Sequence, residues 1–225
     1  MREERDIDNA ISQIISRFGT IDVLINNASA ISLTPLEQTS TKKYDLMHSI
    51  NARGSFLLTA KALPYLKQAT NPHVLFLSPP LGMRAEWFAG NVAYTASKMT
   101  MSMWVLGMSQ ELGEAGVAVN ALWPRTLIAT AALQAIGGAG ASDMAAQGRT
   151  PEIMADAAYA ILCQPAKRYT GNFCIDEQVL AHQGVRDFTK YSVTPNAELQ
   201  EDFFIDANYQ TPPLPEIIPV VQSKL

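Results

Sequence analysis

The chain is poor in the residues that mark several common function classes. It has two cysteines, Cys163 and Cys174, which form no CxxC pair and no disulfide framework. Its three histidines, His48, His73 and His182, stand apart at no metal-ligand spacing, so no metal centre is expected. Lys and Arg number 17 against 21 Asp and Glu, a net charge of −4, and they are scattered. That leaves no electrostatic footprint for nucleic acid or an anionic membrane. No apolar run approaches the ~18 residues of a membrane span. The opening Met1-Arg-Glu-Glu-Arg-Asp6 lacks the apolar stretch of a secretory signal. What is present, 48% apolar and 17% charged residues in 225, suits a globular protein with one sizeable core.

The last three residues, Ser223-Lys224-Leu225, spell a peroxisomal address when they are the free C-terminus. The Pro-rich stretch Thr211 to Glu216 before them would hold the tripeptide out in solvent. Peroxisomal localisation, through an import receptor that reads Ser223, Lys224 and Leu225, is the expectation.

Apolar positions Ile7, Ala10, Ile11, Ile14, Ile15 and Phe18 recur at helical spacing, and Gly19 supplies a C-terminal stop. Ile21 to Asn26 then reads as a buried strand of a parallel sheet. A helical pattern through Tyr44, Met47, Ile50, Phe56 and Ala60 leads to a second strand at His73 to Leu77. A helix carrying Tyr94, Lys98, Met101, Val105, Met108 and Leu112 precedes a third strand at Val117 to Leu122. Pro151 to Leu162 predicts a further helix and Asn172 to Ile175 a last strand. Alternating strands and helices predict an α/β fold with a doubly wound parallel sheet, in which ligands bind beyond the carboxyl ends of the strands. Gly137-Gly-Ala-Gly140 follows a helix rather than a strand, so it lacks the context of a phosphate loop and reads as a mobile connection.

Tyr94 and Lys98 carry the most chemical information. On one helix they leave the same face about 5–6 Å apart at Cβ. A phenol titrates near pH ~10, and a fixed positive charge close by favours phenolate and lowers that value. A tyrosine so placed can exchange a proton with a substrate alcohol or carbonyl.

With Asn26-Asn-Ala-Ser29 after the first strand, Asn51 in the next helix, Ala93-Tyr94-Thr-Ala-Ser-Lys98 and Val119-Asn-Ala-Leu-Trp-Pro124, the chain resembles the short-chain dehydrogenase/reductase family over most of its length. The resemblance implies a Rossmann-like fold, NADP or NAD as cofactor, and a set of roles. Tyr94 would donate or accept the proton, and Lys98 would hold the nicotinamide ribose and lower the tyrosine pKa. Asn51 would support a water relay behind Lys98, its other reading being a helix cap or an internal hydrogen bond. Asn27, Ala28 and Ser29 would lie along the cofactor ribose, and Ile128 and Thr130 would contact the carboxamide and pyrophosphate.

Two departures from that pattern stand out. Pro79 occupies the place of the catalytic serine, and proline has no donor. Ser78 is one residue early, on the opposite face of a strand, with a loop long enough to let it turn toward the site. The strand and glycine-rich turn with which family members begin have no counterpart ahead of Met1, so roughly 60–80 residues, about two βαβ passes, are expected to be missing and the first strand to be left as an edge. We therefore expect a partial Rossmann domain over 1–184 and a C-terminal extension over 185–225. The function implied is hydride transfer between NADP(H) or NAD(H) and a hydrophobic alcohol or ketone in lipid metabolism, by a homo-oligomer. Apolar residues after Pro124, namely Leu127, Ala131, Leu133 and Ile136, suggest the hydrophobic ligand. The alternative is a non-catalytic isoform or binding module that pairs with a full-length partner.

Overall fold

The computed structural model describes residues 2–205 and 214–216. The tripeptide Ser223-Lys224-Leu225, on which the peroxisomal expectation rests, lies outside the described residues. Along the chain run α1 (Glu4–Phe18), β1 (Val23–Asn26), α2 (Thr41–Met47), a π-helical turn (His48–Gly54), α3 (Ser55–Leu66), β2 (His73–Phe76), α4 (Ala85–Phe88), α5 (Val92–Leu112), β3 (Ala118–Trp123), α6 (Ala131–Gly137), α7 (Ala141–Ala146), α8 (Glu152–Leu162), β4 (Phe173–Ile175) and α9 (Asp176–His182). The strand order is β1-β2-β3-β4, with β1 parallel to β2 in the register Val23 to His73 and β2 parallel to β3 in the register His73 to Ala118. The fold is thus α/β, with a four-stranded sheet and flanking helices.

The chain divides into two compact units. The first comprises Met1–Ala121 and Pro165–Asn172, the second Leu122–Gln164 and Phe173–Leu225. In the first, α3 packs on β1 and α5 on β2, while α1 packs on α3 and α3 on α5, so these helices form one layer against the sheet. β2 is buried throughout because it is covered on its faces and paired on both edges. β1 lies at the sheet edge, and its Val23 and Ile25 keep 41% and 43% of their surface exposed. In the second unit the principal helix pair is α8 and α9.

The expected elements are present, with informative differences. Gly19 ends α1 with φ 79°, and its N–H returns to the Ile15 carbonyl, a geometry a Cβ disfavours. Only Ile7 and Ile11 of that helix are buried, while Ile14 and Phe18 face outward. The single helix expected across Tyr44 to Ala60 is three pieces, because the π turn inserts a residue between α2 and α3. Tyr44 and Phe56 consequently face out rather than into the core. Gly138–Gly140 forms a 3₁₀ turn between α6 and α7, not a phosphate loop. No helix among the described residues is long and apolar enough to cross a membrane.

Candidate active site

The π turn places Asn51 at the centre of the first unit's polar network. Its side chain is fully buried, and all four of its hydrogen-bonding positions are used. Oδ1 accepts from the Ala30 N–H at 2.7 Å and from Ser29 Oγ at 3.1 Å. Nδ2 donates to the Ala30 carbonyl and to Ser97 Oγ, each at 2.9 Å. Ser97 in turn donates to the Tyr94 carbonyl at 2.8 Å. One neutral side chain therefore ties the segment after β1 to the first turns of α5. With the amide saturated, a water relay at Asn51 would run through its main chain, since the side chain has no position left for water.

α5 carries Tyr94, 6% exposed, and Lys98, 3% exposed. Successive helical residues turn by ~100°, so the two share a face while Ser97 lies beside them. Burying an ammonium is tolerable only with partners, and Lys98 Nζ donates to the Leu77 carbonyl at 2.9 Å. Ser102, one turn further, donates to the Pro79 carbonyl at 2.6 Å. α5 thus grips the chain on both sides of Ser78. Ser78 itself is fully buried, and its Oγ has no hydrogen-bond partner among the described residues. The structure fixes this serine in place, with its hydroxyl enclosed rather than presented at a surface.

Asn27, Ala28 and Ser29 lie just beyond the carboxyl end of β1, exposed, with Asn27 N–H turned back to the Ile25 carbonyl at 3.0 Å. The structure links Ser29, Asn51 and Tyr94 through Ser97, and holds Lys98, on the same helix as Tyr94, at the Leu77 carbonyl. Ser97 was not singled out from sequence, although its place in the Tyr-Thr-Ala-Ser-Lys run, one residue before the lysine, was the available signal. Ile128 and Thr130 belong to the second unit, where Ile128 is half-buried and Thr130 exposed just before α6. Of the apolar residues in that region Leu133 is buried, a core position rather than a lining one.

A pocket of about 390 Å³ opens beside α2 and α5, lined by Leu36, Thr39, Tyr44, His48, Val92 and Ala96 among others. Val92 and Ala96 each stand two residues from Tyr94, about 200° around the helix, so this pocket lies behind the Tyr94 face. His48 stacks on Tyr44 at 4.1 Å, and burial pushes its pKa below the usual value, against the carbonyl of Ala93. Among the described residues no group of three or more His, Cys, Asp or Glu side chains is gathered to hold a metal.

Residues 1–138 match the family model for short chain dehydrogenase. The chain is 51% identical to hydroxysteroid dehydrogenase-like protein 2 of Xenopus tropicalis over 207 residues, covering 92% of this chain and 48% of that protein. It therefore spans about half the length of this relative. Among solved structures, a putative dehydrogenase from Xanthomonas campestris superposes with a TM-score of 0.86 at 46% identity, over 91% of this chain and 74% of that one. A 3-ketoacyl-(acyl-carrier-protein) reductase from Brucella melitensis, complexed with NADH, superposes with a TM-score of 0.63 at 25% identity, over 76% and 71%. The family match over more than half the chain, together with this geometry around Tyr94, Lys98 and Asn51, leads to one assignment: the chain belongs to the short-chain dehydrogenase family.

Proposed function

We propose that the protein is an oxidoreductase that moves a hydride between NADP(H) or NAD(H) and a hydrophobic alcohol or ketone, in peroxisomal lipid metabolism. The observation that carries this reading is the buried Tyr94–Lys98 face of α5, braced by the saturated Asn51 amide. The Brucella reductase is complexed with NADH, and the exposed strand-end residues Asn27, Ala28 and Ser29 offer this chain a surface on which a ribose can lie. The nicotinamide supplies or accepts the hydride. Tyr94 gives its hydroxyl proton to the carbonyl oxygen during reduction and takes a proton from the alcohol during oxidation. Lys98, held by Leu77, contributes the positive charge that favours the phenolate and meets the ribose. Because Ser78 is enclosed and Pro79 has no N–H, substrate orientation rests on Tyr94.

The test is turnover of NADPH or NADH with a panel of apolar ketones, using wild type and Tyr94→Phe in the full-length protein. We expect a fall of roughly 10²–10⁴-fold for the variant. Unchanged turnover would remove Tyr94 from the mechanism. The enclosed Ser78 favours a second reading, a non-catalytic module that pairs with a full-length partner, and low-micromolar binding of NADPH by this chain would count against it.

Two further parts of the proposal concern place and assembly. Ser223-Lys224-Leu225 supports peroxisomal import wherever it forms a free C-terminus, which imaging of the N-terminally tagged protein with and without the tripeptide would check. A homo-oligomer is supported by the outer face of α5. From Val92 to Gln110 the only charged residue is Lys98, and it is buried, while Met103 and Leu106 are 52% and 57% exposed and Phe56 of α3 stands out nearby. A charge-free face can meet a second copy of itself without like-charge repulsion. Light scattering that gives a monomer mass at micromolar concentration would end this part of the proposal.

A further inference from the structure

We propose that Asp176 and Arg149 are positioning residues for the segment Arg125–Thr130, holding its backbone in the shape in which it meets a dinucleotide. The inference rests on the functional reading above and on the family resemblance, which implies that Ile128 and Thr130 contact the cofactor. Everything it uses lies within the second unit.

The segment leaves β3 in an extended form, and its hydrogen bonds fall on alternate residues. Arg125 N–H donates to Asp176 Oδ1 at 2.9 Å, and the Arg125 carbonyl accepts from Asp202 N–H at 3.0 Å. Leu127 N–H donates to the Gln200 carbonyl at 3.0 Å, and its carbonyl accepts from Arg149 N–H at 2.8 Å. Ala129 N–H donates to the Arg149 carbonyl at 2.8 Å. Ile128 thus pairs with Arg149 as in a parallel ladder, which turns the N–H and C=O of Ile128 away from Arg149. The residue assigned to the cofactor presents its main chain outward because its neighbours are clamped.

Two side chains lock the clamp. Arg149 is 6% exposed, its Nη1 is ion-paired with the Glu177 carboxylate, and its guanidinium lies 5.5 Å from the Phe188 ring centroid. Asp176, the first residue of α9, is fully buried and accepts from both Arg125 N–H and Glu177 N–H through Oδ1. Its Oδ2, together with Arg149 Nε and Thr126 Oγ1, has no hydrogen-bond partner among the described residues. A buried carboxylate with one idle oxygen is expensive, and such groups concentrate where structure serves function.

The charges around Asp176 tune it. Burial pushes its pKa up to about 6, against the N–H groups of Arg125 and Glu177 and the positive charge of Arg149, while the Glu177 carboxylate pushes it further up. Tyr191 also faces it, and donates to Asp156 of α8 at 2.6 Å, so Asp156 stands behind it. Near neutral pH the ionised carboxylate grips the Arg125 amide with a charge-assisted bond, and protonation weakens that grip.

The test combines amide hydrogen exchange and NADH and NADPH fluorescence titrations on the full chain, for wild type, Asp176→Ala, Asp176→Asn and Arg149→Gln. Asp176→Ala and Arg149→Gln are expected to speed exchange at Arg125, Leu127 and Ala129 and to weaken NADH or NADPH binding about tenfold. Asp176→Asn keeps an acceptor oxygen in the same volume and recovers most of both. Wild-type affinity falls between pH 7 and pH 5, and Asp176→Asn loses that dependence. A merely structural role would instead move affinity only in step with melting temperature, and that outcome overturns the inference. Should Asp176→Ala fail to fold, an unchanged pH dependence of affinity in Asp176→Asn overturns it equally. If wild type binds neither NADH nor NADPH, the functional reading falls, and the exchange rates at Arg125–Ala129 alone decide whether Asp176 and Arg149 hold the segment.

Discussion

Asn51, in the π turn, and Asp176, at the start of α9, are both fully buried polar residues, one in each unit, and their surroundings differ in kind. Asn51 is neutral, and each of its donors and acceptors has a partner. Asp176 is ionisable, spends one oxygen on two N–H groups and leaves the other without a partner. A satisfied neutral network stiffens a core at little desolvation cost, whereas a half-satisfied buried charge lowers stability in return for a fixed local geometry. The contrast indicates that the first unit's network is built to hold Tyr94 and Lys98 rigidly. The second unit accepts instability at the point where its extended segment is anchored.

The largest effect that would break this contrast is expected at Asn51. Asn51→Leu strips partners from Ser29, Ser97 and both main-chain groups of Ala30, and should cost about 3 kcal/mol or more, equally at pH 5 and pH 7.5. Urea denaturation measures it, and a loss below about 1 kcal/mol would mean the network is not structural.

Asp176 should behave in the opposite way. Its folded pKa of about 6 lies above the ordinary 3.8, so the stability it contributes is fully present below pH 3.8 and is lost as pH rises through about 6. At pH 7.5 Asp176→Asn should therefore raise stability by up to roughly 3 kcal/mol and flatten the pH dependence between 4 and 7. Global stability and dinucleotide affinity then move in opposite directions with pH, and a melting series across that range checks the sign.

The smallest effect is expected at Ser78. Its hydroxyl has no partner among the described residues, and the carbonyls on either side are held by Lys98 and Ser102. Ser78→Ala should change stability by less than about 1 kcal/mol and turnover by less than about tenfold. A loss as large as that of Tyr94→Phe would show that the serine reaches the substrate after all.

Local signals in the sequence foretold much of the first unit and little of the second. α1 ends at Gly19 because only a residue free to adopt positive φ closes a helix in that way, and the glycine is visible in the sequence. The strands fall within two residues of expectation, since apolar runs bounded by polar residues mark sheet segments. β1 starts at Val23 rather than Ile21 because pairing begins there, opposite His73. The π turn at Asn51 was hidden because apolar periodicity through Tyr44, Met47 and Ile50 continues smoothly while the backbone inserts one residue. Tyr94 and Lys98 were legible because four residues on one helix suffice to bring them together. Arg149 and Asp176 were not, because Arg149 meets Glu177 and Asp176 meets Arg125 across long stretches of sequence, and their roles depend on burial, which composition does not reveal.

Denaturation of wild type, Asn51→Leu and Asp176→Asn at pH 5 and pH 7.5 tests the contrast most directly. The account predicts that Asn51→Leu loses stability by the same amount at both pH values, and that Asp176→Asn gains at both, by roughly twice as much at pH 7.5 as at pH 5. A loss at Asp176→Asn that matches Asn51→Leu at both pH values would contradict it, because the two buried groups would then serve the same structural purpose.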